Sequence, residues 1–431
     1  MMRGGWIEFI WWLQLNLLTR KKNQRSVVVK FGGTSMGAPE KIHHCAEMVK
    51  REIDKGSNVV IVVSAQPGDT DRFSTLATAL GVQRDSIDEI VSMGERISAR
   101  LMYAVLRSMN VKSTFIDPLH EEWPVRTDSN HGAAGILLGE TKKRVNVGIR
   151  SFFKQGITPV LGGFIGKSEE GKVTTLGRGG SDITAVLLGY CLDADVYIVT
   201  DVDGVCSGDP NKIGDVRVIK EIKIDELWNL GIYGAKVMDP RSLVFKTETM
   251  KLKILSNNEF LDGPGTEIIG SFDPGIHIYC DERKKSMISV VGEEITEVPG
   301  LFNKFSQALQ GFDYYTTTAS RSCISIIVDS EKETRIVQVL HRMVLTMPLL
   351  RAVTSRGGIA AIRVTGRDVN QRKNISWKIG DILDDAHIEV VSISINMYEV
   401  ILFVEWQDLK EVRVILEKFQ DEIKFFGHSN L

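Results

Sequence analysis

Hydrophobic residues between Val27 and Gly270 fall into short runs, each separated from the next by a longer and partly polar stretch. Within each run, β-branched and other apolar residues occupy both odd and even positions. This pattern is typical of strands buried on both faces of a mostly parallel sheet. The runs span residues 27–31, 58–64, 111–116, 157–161, 195–200 and 252–256.

Helical periodicity fills the stretches between these runs. Pro39 is suited to begin a helix that Gly56 ends, and Ser86 with Glu89 predicts a capping box for a helix that runs to about Met109. Strands that alternate with helices predict an α/β domain of three layers, αβα, around a mostly parallel sheet. Its ligands should bind at the carboxyl ends of the strands.

The order of elements changes after Gly270 and then repeats. A strand, a helix, two strands and a helix occur twice, and matching Leu309 to Leu383 gives an offset of about 74 residues. Each repeat reads βαββα, and one more strand would complete a ferredoxin-like βαββαβ unit. The elements lie at 287–291, from about 299, at 314–318, 323–328 and from about 332, then at 360–364, from about 371, at 389–395, 400–405 and from about 409.

The N-terminal stretch 6–18 is apolar and rich in tryptophan, but it is shorter than the roughly 20 residues of a membrane-spanning helix. No small-residue cleavage site follows it, so a signal peptide is disfavoured. A segment that binds a membrane surface or a partner is the alternative to a leader outside the fold. The predicted domains are an extension at 1–25, the α/β domain at 26–272, a linker at 273–285, and ferredoxin-like units at 286–357 and 358–431, with strands that can exchange between the two units.

Composition narrows the class of protein without naming its chemistry. Hydrophobic residues make up 43% and charged residues 25% of the chain, and the formal net charge is −2. This balance argues against a protein whose main partner is nucleic acid or an anionic membrane. Five scattered cysteines without a C-x-x-C pair fit free thiols in the cytoplasm better than disulfides or a zinc site.

Two glycine clusters carry the candidate chemistry. In the segment Lys30–Ser35, paired glycines follow the first strand, so backbone N–H groups can close on an anion beside the lysine. In the segment Gly177–Asp182, an anion-binding turn is combined with an arginine suited to a carboxylate and with an aspartate. Two such clusters in one α/β domain favour a site for a polyphosphate beside an acidic substrate.

Two other patterns do not support a site. Gly162–Ser168 resembles a Walker A loop, but its spacing is one residue short and a polar turn follows it. Gly177-x-Gly179 lacks the third glycine of a dinucleotide fingerprint, because position 182 is aspartate. The adjacent His43 and His44 cannot share a helix face as metal ligands.

The chain resembles aspartate kinases of the amino acid kinase superfamily over most of residues 27–431. The segments K-F-G-G-T-S (30–35) and T-T-L-G-R-G-G-S-D (174–182) are the most specific matches. Supporting matches are Ser64-Ala65 with Thr70-Asp71, G-E-R (94–96), R-T-D-S-N-H-G (126–132), T-D-V-D-G-V (200–205) and G-A-K-V (234–237). The paired C-terminal units resemble the tandem ACT domains of that family, which bind amino-acid effectors and form the dimer contact.

The resemblance implies transfer of the ATP γ-phosphate to the β-carboxylate of L-aspartate, the first step of lysine, threonine and methionine biosynthesis, with Mg²⁺ accompanying ATP. It assigns Lys30 and Asp182 to catalysis. Aspartate would bind Thr34, Ser64, Thr70, Glu95, Arg178 and Ser181. ATP would bind Lys30, Phe31, Gly32, Gly33, Thr200, Asp201, Cys206, Lys212 and Lys236. No residue is assigned as a metal ligand, and a homodimer or higher homo-oligomer is expected.

The sequence departs from the family pattern at several places. Cys206 and Asn211 replace an aromatic residue and an arginine beside the nucleotide site, where Lys212 can supply a cation. Asp239 stands where the family has histidine. The segments 368–373 and 392–396 have lost the effector-site pattern, so no effector residue is assigned.

Two other functions remain as alternatives. The first is another amino acid kinase, acting on glutamate or acetylglutamate, which the tandem repeat and the G-R-G-G-S-D loop disfavour. The second is a non-catalytic amino-acid sensor, which the joint presence of Lys30, Glu95, Arg178 and Asp182 disfavours.

Overall fold

The computed structural model describes residues 24–273, 275–366, 375–396 and 399–429. The chain forms two compact units, one ending at Phe272 and the other covering Asp273–Ser429. The extension predicted at 1–25 lies outside the described residues except for its last two. Of these, Arg25 already belongs to the fold, because its guanidinium lies 2.7 Å from the Asp195 carboxylate.

The first unit alternates strands and helices as the hydrophobic pattern predicts. Its strands are β1 Ser26–Phe31, β2 Asn58–Val63, β3 Ser113–Ile116, β4 Thr158–Gly162, β5 Ile165–Lys167, β6 Val173–Thr175, β7 Asp195–Thr200, β8 Glu221–Lys223, β9 Leu252–Ser256 and β10 Thr266–Ile269. Its α-helices are α1 Pro39–Asp54, α2 Asp69–Ala79, α3 Arg84–Val91, α4 Met93–Ser108, α5 Leu138–Arg144, α6 Arg150–Lys154, α7 Gly180–Leu192 and α8 Ile224–Ile232. A π-helical turn at Val145–Ile149 joins α5 to α6, and 3₁₀ turns lie at Gly33–Met36 and Pro240–Phe245.

Among the described residues, eight of these strands form one sheet in the order β3-β4-β2-β1-β7-β9-β10-β8. All neighbouring strands run parallel except β9 and β10. Each of the six predicted strands is present, and β1 and β7 carry side chains buried on both faces. The three-layer α/β architecture is therefore confirmed, because strands of this kind need helices on both sides.

The predicted capping box at Ser86 is wrong. Helix α3 begins at Arg84, two residues before Ser86, and its N-cap is Gln83. The Ser86 N–H donates to the neighbouring carboxylate of Asp85. The predicted single helix to Met109 is also interrupted at Ser92, where α3 ends and α4 begins. Helix α2, which the sequence pattern did not indicate, places Thr70 in a first helical turn.

The second unit contains the repeated elements. Its strands are β11 His277–Cys280, β12 Lys285–Gly292, β13 Thr316–Ser320, β14 Cys323–Asp329, β15 Leu350–Thr365, β16 Val390–Asn396 and β17 Glu399–Glu405. Its α-helices are α9 Leu301–Ala308, α10 Glu333–Thr346, α11 Ile375–Asp385 and α12 Leu409–Ser429, and 3₁₀ turns lie at Ile295–Glu297, Ser330–Lys332 and Trp406–Asp408.

These strands build two ferredoxin-like units that share β15. The first half of β15 pairs with β12, in the order β13-β14-β12-β15, and the second half pairs with β17 and β11. The fourth strand of the second unit is therefore β11, which precedes the first unit in the chain. Residues 277–280 were predicted as linker, and this assignment is wrong, because a strand of only four residues gave no clear pattern in the sequence.

Parts of the predicted second repeat lie outside the described residues, among them the segment 368–373 and the predicted helix start near Gln371. In the described part of the chain, no helix is long and apolar enough to cross a membrane.

Candidate active site

The carboxyl ends of adjacent strands β4, β2, β1 and β7 meet at one edge of the large sheet, where the two glycine clusters also lie. A cavity of about 470 Å³ opens there. Its walls come from segments far apart in the sequence, and the residues that matter below are Lys30, Ser64, Thr70, Asp88, Glu95, Phe164, Arg178, Ser181 and Asp182.

Lys30 forms the cationic centre of this cavity. It is the last but one residue of β1, a central strand, and its Nζ lies 2.7 Å from Oδ1 of Asp182 at the start of α7. The Lys30 and Asp182 side chains are only 11% and 10% exposed. The close carboxylate fixes the position of the ammonium group, which still faces the cavity.

The turn after β1 packs closely against neighbouring backbone. The Gly32 N–H donates to the carbonyl of Val199 at 3.0 Å, which holds this turn against β7. At Gly33 a Cβ atom would lie 2.9 Å from the carbonyl oxygen of Ala65. Glycine is therefore required at position 33 for this close approach.

Glu95 is a buried carboxylate with an unused oxygen. Helix α4 carries it into the interior, where it is 3% exposed and Oε1 accepts the N–H of Ala65 at 3.2 Å. Among the described residues Oε2 has no hydrogen-bond partner. Burial raises the pKa of this carboxyl to about 7, and the nearby charge of Asp69 acts in the same direction. An unpartnered buried oxygen that borders a cavity suits a cationic ligand.

The second glycine cluster forms the opposite wall. Gly177 and Gly179 both have φ near +77°, a left-handed conformation that favours glycine, and α7 begins directly after them. The Arg178 side chain is 95% exposed, and its nearest carboxylate, Asp71, is 3.9 Å away. The guanidinium is therefore held only weakly and can turn toward an anion in the cavity.

The structure brings the two predicted catalytic residues and most of the predicted aspartate-binding residues to the cavity. Those that line it are Lys30, Ser64, Thr70, Glu95, Arg178, Ser181 and Asp182. Thr34 lies in the 3₁₀ turn after β1 and does not line the cavity. These assignments stay predictions as far as ligand binding is concerned.

The predicted nucleotide-binding residues other than Lys30 lie outside the cavity wall. The side chain of Phe31 is completely buried in the core, so any contact of Phe31 with ATP has to use its backbone. Thr200 and Asp201 follow β7, and the Thr200 hydroxyl donates to the Asp201 carboxylate at 3.2 Å. The pKa of the Asp209 carboxyl is lowered, first by the backbone N–H of Asn211 and further by the charges of Lys212 and Lys236.

Sequence reasoning missed several residues of the site. Asp88 on α3 lines the cavity and accepts bonds from the Thr175 hydroxyl at 2.6 Å and from His131 Nδ1 at 2.7 Å. Phe164 lines it with φ +69°, a strained conformation for a bulky residue. Both His131 and Thr175 belong to segments that matched the family, but nothing in the sequence connects them to Asp88.

Comparisons with known proteins agree with this geometry. The amino acid kinase family matches residues 25–256. The aspartokinase of Geobacillus stearothermophilus is 31% identical over 385 residues, which cover 86% of this chain and 91% of that protein. The crystal structure of aspartate kinase from Synechocystis is similar at a TM-score of 0.71 and 25% identity, covering 92% of this chain and 69% of that one.

A second solved structure shows the same fold. It is E. coli aspartokinase III in complex with aspartate and ADP, in the R-state, at 22% identity and a TM-score of 0.53. The similarity covers 90% of this chain and 98% of that one. From the family match and the nearly full-length relative, the chain belongs to the amino acid kinase family, in the branch of the aspartate kinases.

Proposed function

We propose that this protein transfers the γ-phosphoryl group of ATP, taken as its Mg²⁺ complex, to the β-carboxylate of L-aspartate, giving 4-phospho-L-aspartate. The observation that carries the proposal is the cavity itself. It combines a lysine for the phosphoryl group, an exposed arginine for a carboxylate and a buried glutamate oxygen without a partner. An α-amino dicarboxylic acid matches this set of charges.

In the aspartate half of the site, Glu95 accepts the ammonium group and Arg178 binds a carboxylate. Ser64, Thr70 and Ser181 line the same cavity and supply hydroxyl groups. Thr34, in the 3₁₀ turn after β1, is the remaining residue that we assign to aspartate binding. An ionised Glu95 is the form that an ammonium group stabilises, so aspartate binding draws a proton off this carboxyl near neutral pH.

In the nucleotide half, Lys30 and the Gly33 amide hold the phosphates. Gly32 keeps the turn against β7 through its N–H bond to Val199, and Phe31 contacts the nucleotide through its backbone. The remaining nucleotide contacts come from Thr200, Asp201, Cys206, Lys212 and Lys236. Thr200 and Asp201 follow the strand beside β1, which is consistent with a nucleotide that extends across the sheet edge from Lys30.

Aspartate needs no general base, because its carboxylate is already a nucleophile at neutral pH. The protein therefore has to position the two reactants and neutralise the charge of the phosphoryl group in the transition state. Lys30 stabilises that charge, and Asp182 keeps Lys30 in place through the ion pair of 2.7 Å. Mg²⁺ supplies further neutralisation on the nucleotide phosphates.

We extend the proposal to the second unit, whose two ferredoxin-like folds suit a pair of ACT domains. In this role they bind an amino-acid effector and join two copies of the chain into a homodimer. Edge strand β16 exposes Ile393 and Ile395, which is consistent with such a contact. The cytoplasm, predicted from the cysteine pattern, stays the expected location.

The test is ADP release by the purified full-length protein with ATP and Mg²⁺, measured separately with aspartate, glutamate and acetylglutamate. We expect turnover with aspartate and at most a few per cent of that rate with the other two acceptors. Turnover with glutamate or acetylglutamate alone would assign another kinase activity, and no turnover with any acceptor would favour a sensor. Lysine, threonine and methionine added to the same assay test for an effector.

A further inference from the structure

The segment Asp239–Arg241 lies beside the second glycine cluster, although some 60 residues separate them in the chain. Asp239 caps the 3₁₀ turn Pro240–Phe245, and its Oδ1 accepts the N–H of Arg241 at 2.8 Å. The Arg241 guanidinium closes back on the same carboxylate, with Nη2 2.7 Å from Oδ2 and Nε 3.0 Å from Oδ1. This two-pronged ion pair gives the segment a fixed shape.

The segment also reaches the reactive centre. The backbone N–H of Asp239 donates to Oδ2 of Asp182 at 2.9 Å, while the other oxygen of Asp182 pairs with Lys30. The Arg241 guanidinium donates to the backbone carbonyl of Arg178 and, at 3.5 Å, to that of Leu176. One short segment therefore holds both the carboxylate that fixes Lys30 and the loop that carries Arg178.

The Asp239 carboxylate packs directly against the backbone of Gly179. At Gly179, a Cβ atom would lie 2.1 Å from Oδ2 of Asp239. The Arg178 side chain itself is almost fully exposed and its ion pair with Asp71 spans 3.9 Å, so its position depends mainly on its backbone. That backbone is fixed by Arg241 on one side and by the start of α7 on the other.

We propose that Arg241 and Asp239 are positioning residues that hold the Gly177–Asp182 loop, and with it Arg178 and Asp182, in the geometry for aspartate binding and phosphoryl transfer. This inference rests on the proposed aspartate kinase activity. Asp239 occupies the position where the family pattern has histidine. A histidine cannot offer Arg241 two anionic oxygens, so this chain uses an ion pair that the family pattern does not contain.

The first test removes the guanidinium with Arg241→Ala in the full-length protein. We expect the KM for aspartate to rise at least tenfold and kcat to fall severalfold, while the KM for ATP stays within about twofold. Arg150→Ala is the matched control, because Arg150 donates to the Leu192 carbonyl at the opposite end of the same helix α7. It removes a comparable bond and should leave both KM values unchanged.

Backbone amide hydrogen exchange gives a readout that does not depend on activity. In Arg241→Ala, exchange at residues 177–182 should accelerate at least tenfold, whereas exchange in strand β7 stays unchanged. Arg241→Lys keeps the charge but loses the fork, so it should restore the fold in case Arg241→Ala is unstable, yet recover only part of the aspartate affinity. Asp239→His should resemble Arg241→Ala, and combining the two should add little further loss.

The results separate this inference from the proposed function. If the wild-type protein does not phosphorylate aspartate but the loop loosens in Arg241→Ala, the proposed function fails, and only the structural part of the inference, the hold of Arg241 on the Gly177–Asp182 loop, is supported. If the wild-type protein is active and Arg241→Ala keeps its aspartate KM and its exchange pattern, the positioning role is overturned.

Discussion

Each of the two units contains a cluster of charges around a buried lysine, and the two clusters are built in opposite ways. In the cavity of the first unit, Lys30 and Asp182 are paired, but Glu95 keeps an oxygen without a partner. In the second unit a cluster around Lys285, here called the Lys285 cluster, consists of Asp281, Arg283, Lys285, Tyr315 and Asp329. Every charge in this second cluster has an opposite charge within 3 Å.

Complete pairing explains the directions in which the pKa values of the Lys285 cluster are shifted. Lys285 is fully buried, and its Nζ lies 2.7 Å from both Asp281 and Asp329, with the Tyr315 ring centroid 4.5 Å away. Burial by itself would lower the pKa of Lys285, but hydrogen bonds to the two carboxylates outweigh it and the pKa is raised. The same bonds outweigh burial at Asp281 and Asp329 and lower the pKa of both carboxyls.

The difference shows what each cluster is suited for. Asp281 follows β11, Lys285 begins β12 and Asp329 ends β14. The Lys285 cluster therefore links β11, which completes the second ferredoxin-like unit, to strands β12 and β14 of the first ferredoxin-like unit. The unpaired oxygen of Glu95 is unfavourable until a cation reaches it. One cluster is complete in the protein alone, and the other becomes complete only with its ligand.

Removing the lysine of the cavity should abolish activity with little effect on the fold. For Lys30→Ala we expect kcat to fall at least about 1,000-fold, because preorganised charge at the transferred group is lost. The thermal unfolding temperature should fall less than in a variant of a closed cluster, because the loss of the Lys30 side chain opens the Asp182 carboxylate, 10% exposed in the wild type, to water in the cavity. Lys50→Ala, which breaks a surface pair with Asp54, is the control. An active Lys30→Ala protein would contradict the site assignment.

Removing Lys285 from the paired cluster should instead lower the stability of the fold. Lys285→Met leaves two carboxylates without their shared cation and should lower the free energy of unfolding by about 3–5 kcal/mol. Urea denaturation of the full-length protein measures this loss. Lys332→Met, which breaks an exposed pair with Asp313, should cost less than about 1 kcal/mol. Equal losses in the two variants would show that burial of the cluster contributes nothing.

Glu95→Gln should weaken aspartate binding and stabilise the protein at the same time. The folded pKa of about 7 lies above the ordinary value of 4.5, so burial opposes ionisation. Below pH 4.5 the carboxyl is protonated in both states, and above pH 7 the folded chain bears the full cost, about 3 kcal/mol. Wild-type stability should therefore fall from pH 4.5 to pH 7, and the variant should lack this decline.

The corresponding measurements are thermal unfolding at pH 4.5 and pH 8, and the aspartate KM at pH 8. We expect the KM of Glu95→Gln to rise about tenfold or more, since a buried charged hydrogen bond is lost. Glu47→Gln, an exposed position, is the control for the loss of one negative charge. A variant that is less stable than the wild type at pH 8 would show that Glu95 is already paired.

The smallest expected effect is the loss of the stability that Asp281 contributes as the pH becomes acidic. The folded pKa of Asp281 lies below its ordinary value of 3.8, so the stability from its ionised form is fully present above that value and is lost as pH falls through the folded pKa. Asp281→Asn should therefore destabilise the protein at pH 7, by about 1 kcal/mol after allowance for solvent screening, and by less at pH 2, where part of this contribution has been lost. Asp313→Asn, an almost fully exposed position, should show no difference at either pH.

Local pattern was sufficient for six strands of the first unit and for the glycine clusters, but not for the short strands β5, β6, β8, β10 and β11. Runs such as 27–31 and 195–200 became strands with nearly the predicted bounds, because a stretch apolar on both faces can be buried only inside a layered sheet. The capping box at Ser86 failed, since several competing residues of α3 can begin a helix within one turn. Lys30, Arg178 and Asp182 were predicted from the two glycine clusters, and the other candidate residues of the cavity were named from the family resemblance.

The sequence by itself determined the alternation of strands and helices, the internal repeat and the two glycine-rich turns, since these depend on residues within a few positions of each other. Only the tertiary structure decided that Asp88 joins Thr175, that Asp239 reaches Asp182 and that β11 completes a unit with β15. Asp88 and Thr175 are 87 residues apart in the chain, and Asp182 and Asp239 are 57 residues apart. Such pairs are brought together by packing of the whole core, which no local preference of the chain encodes.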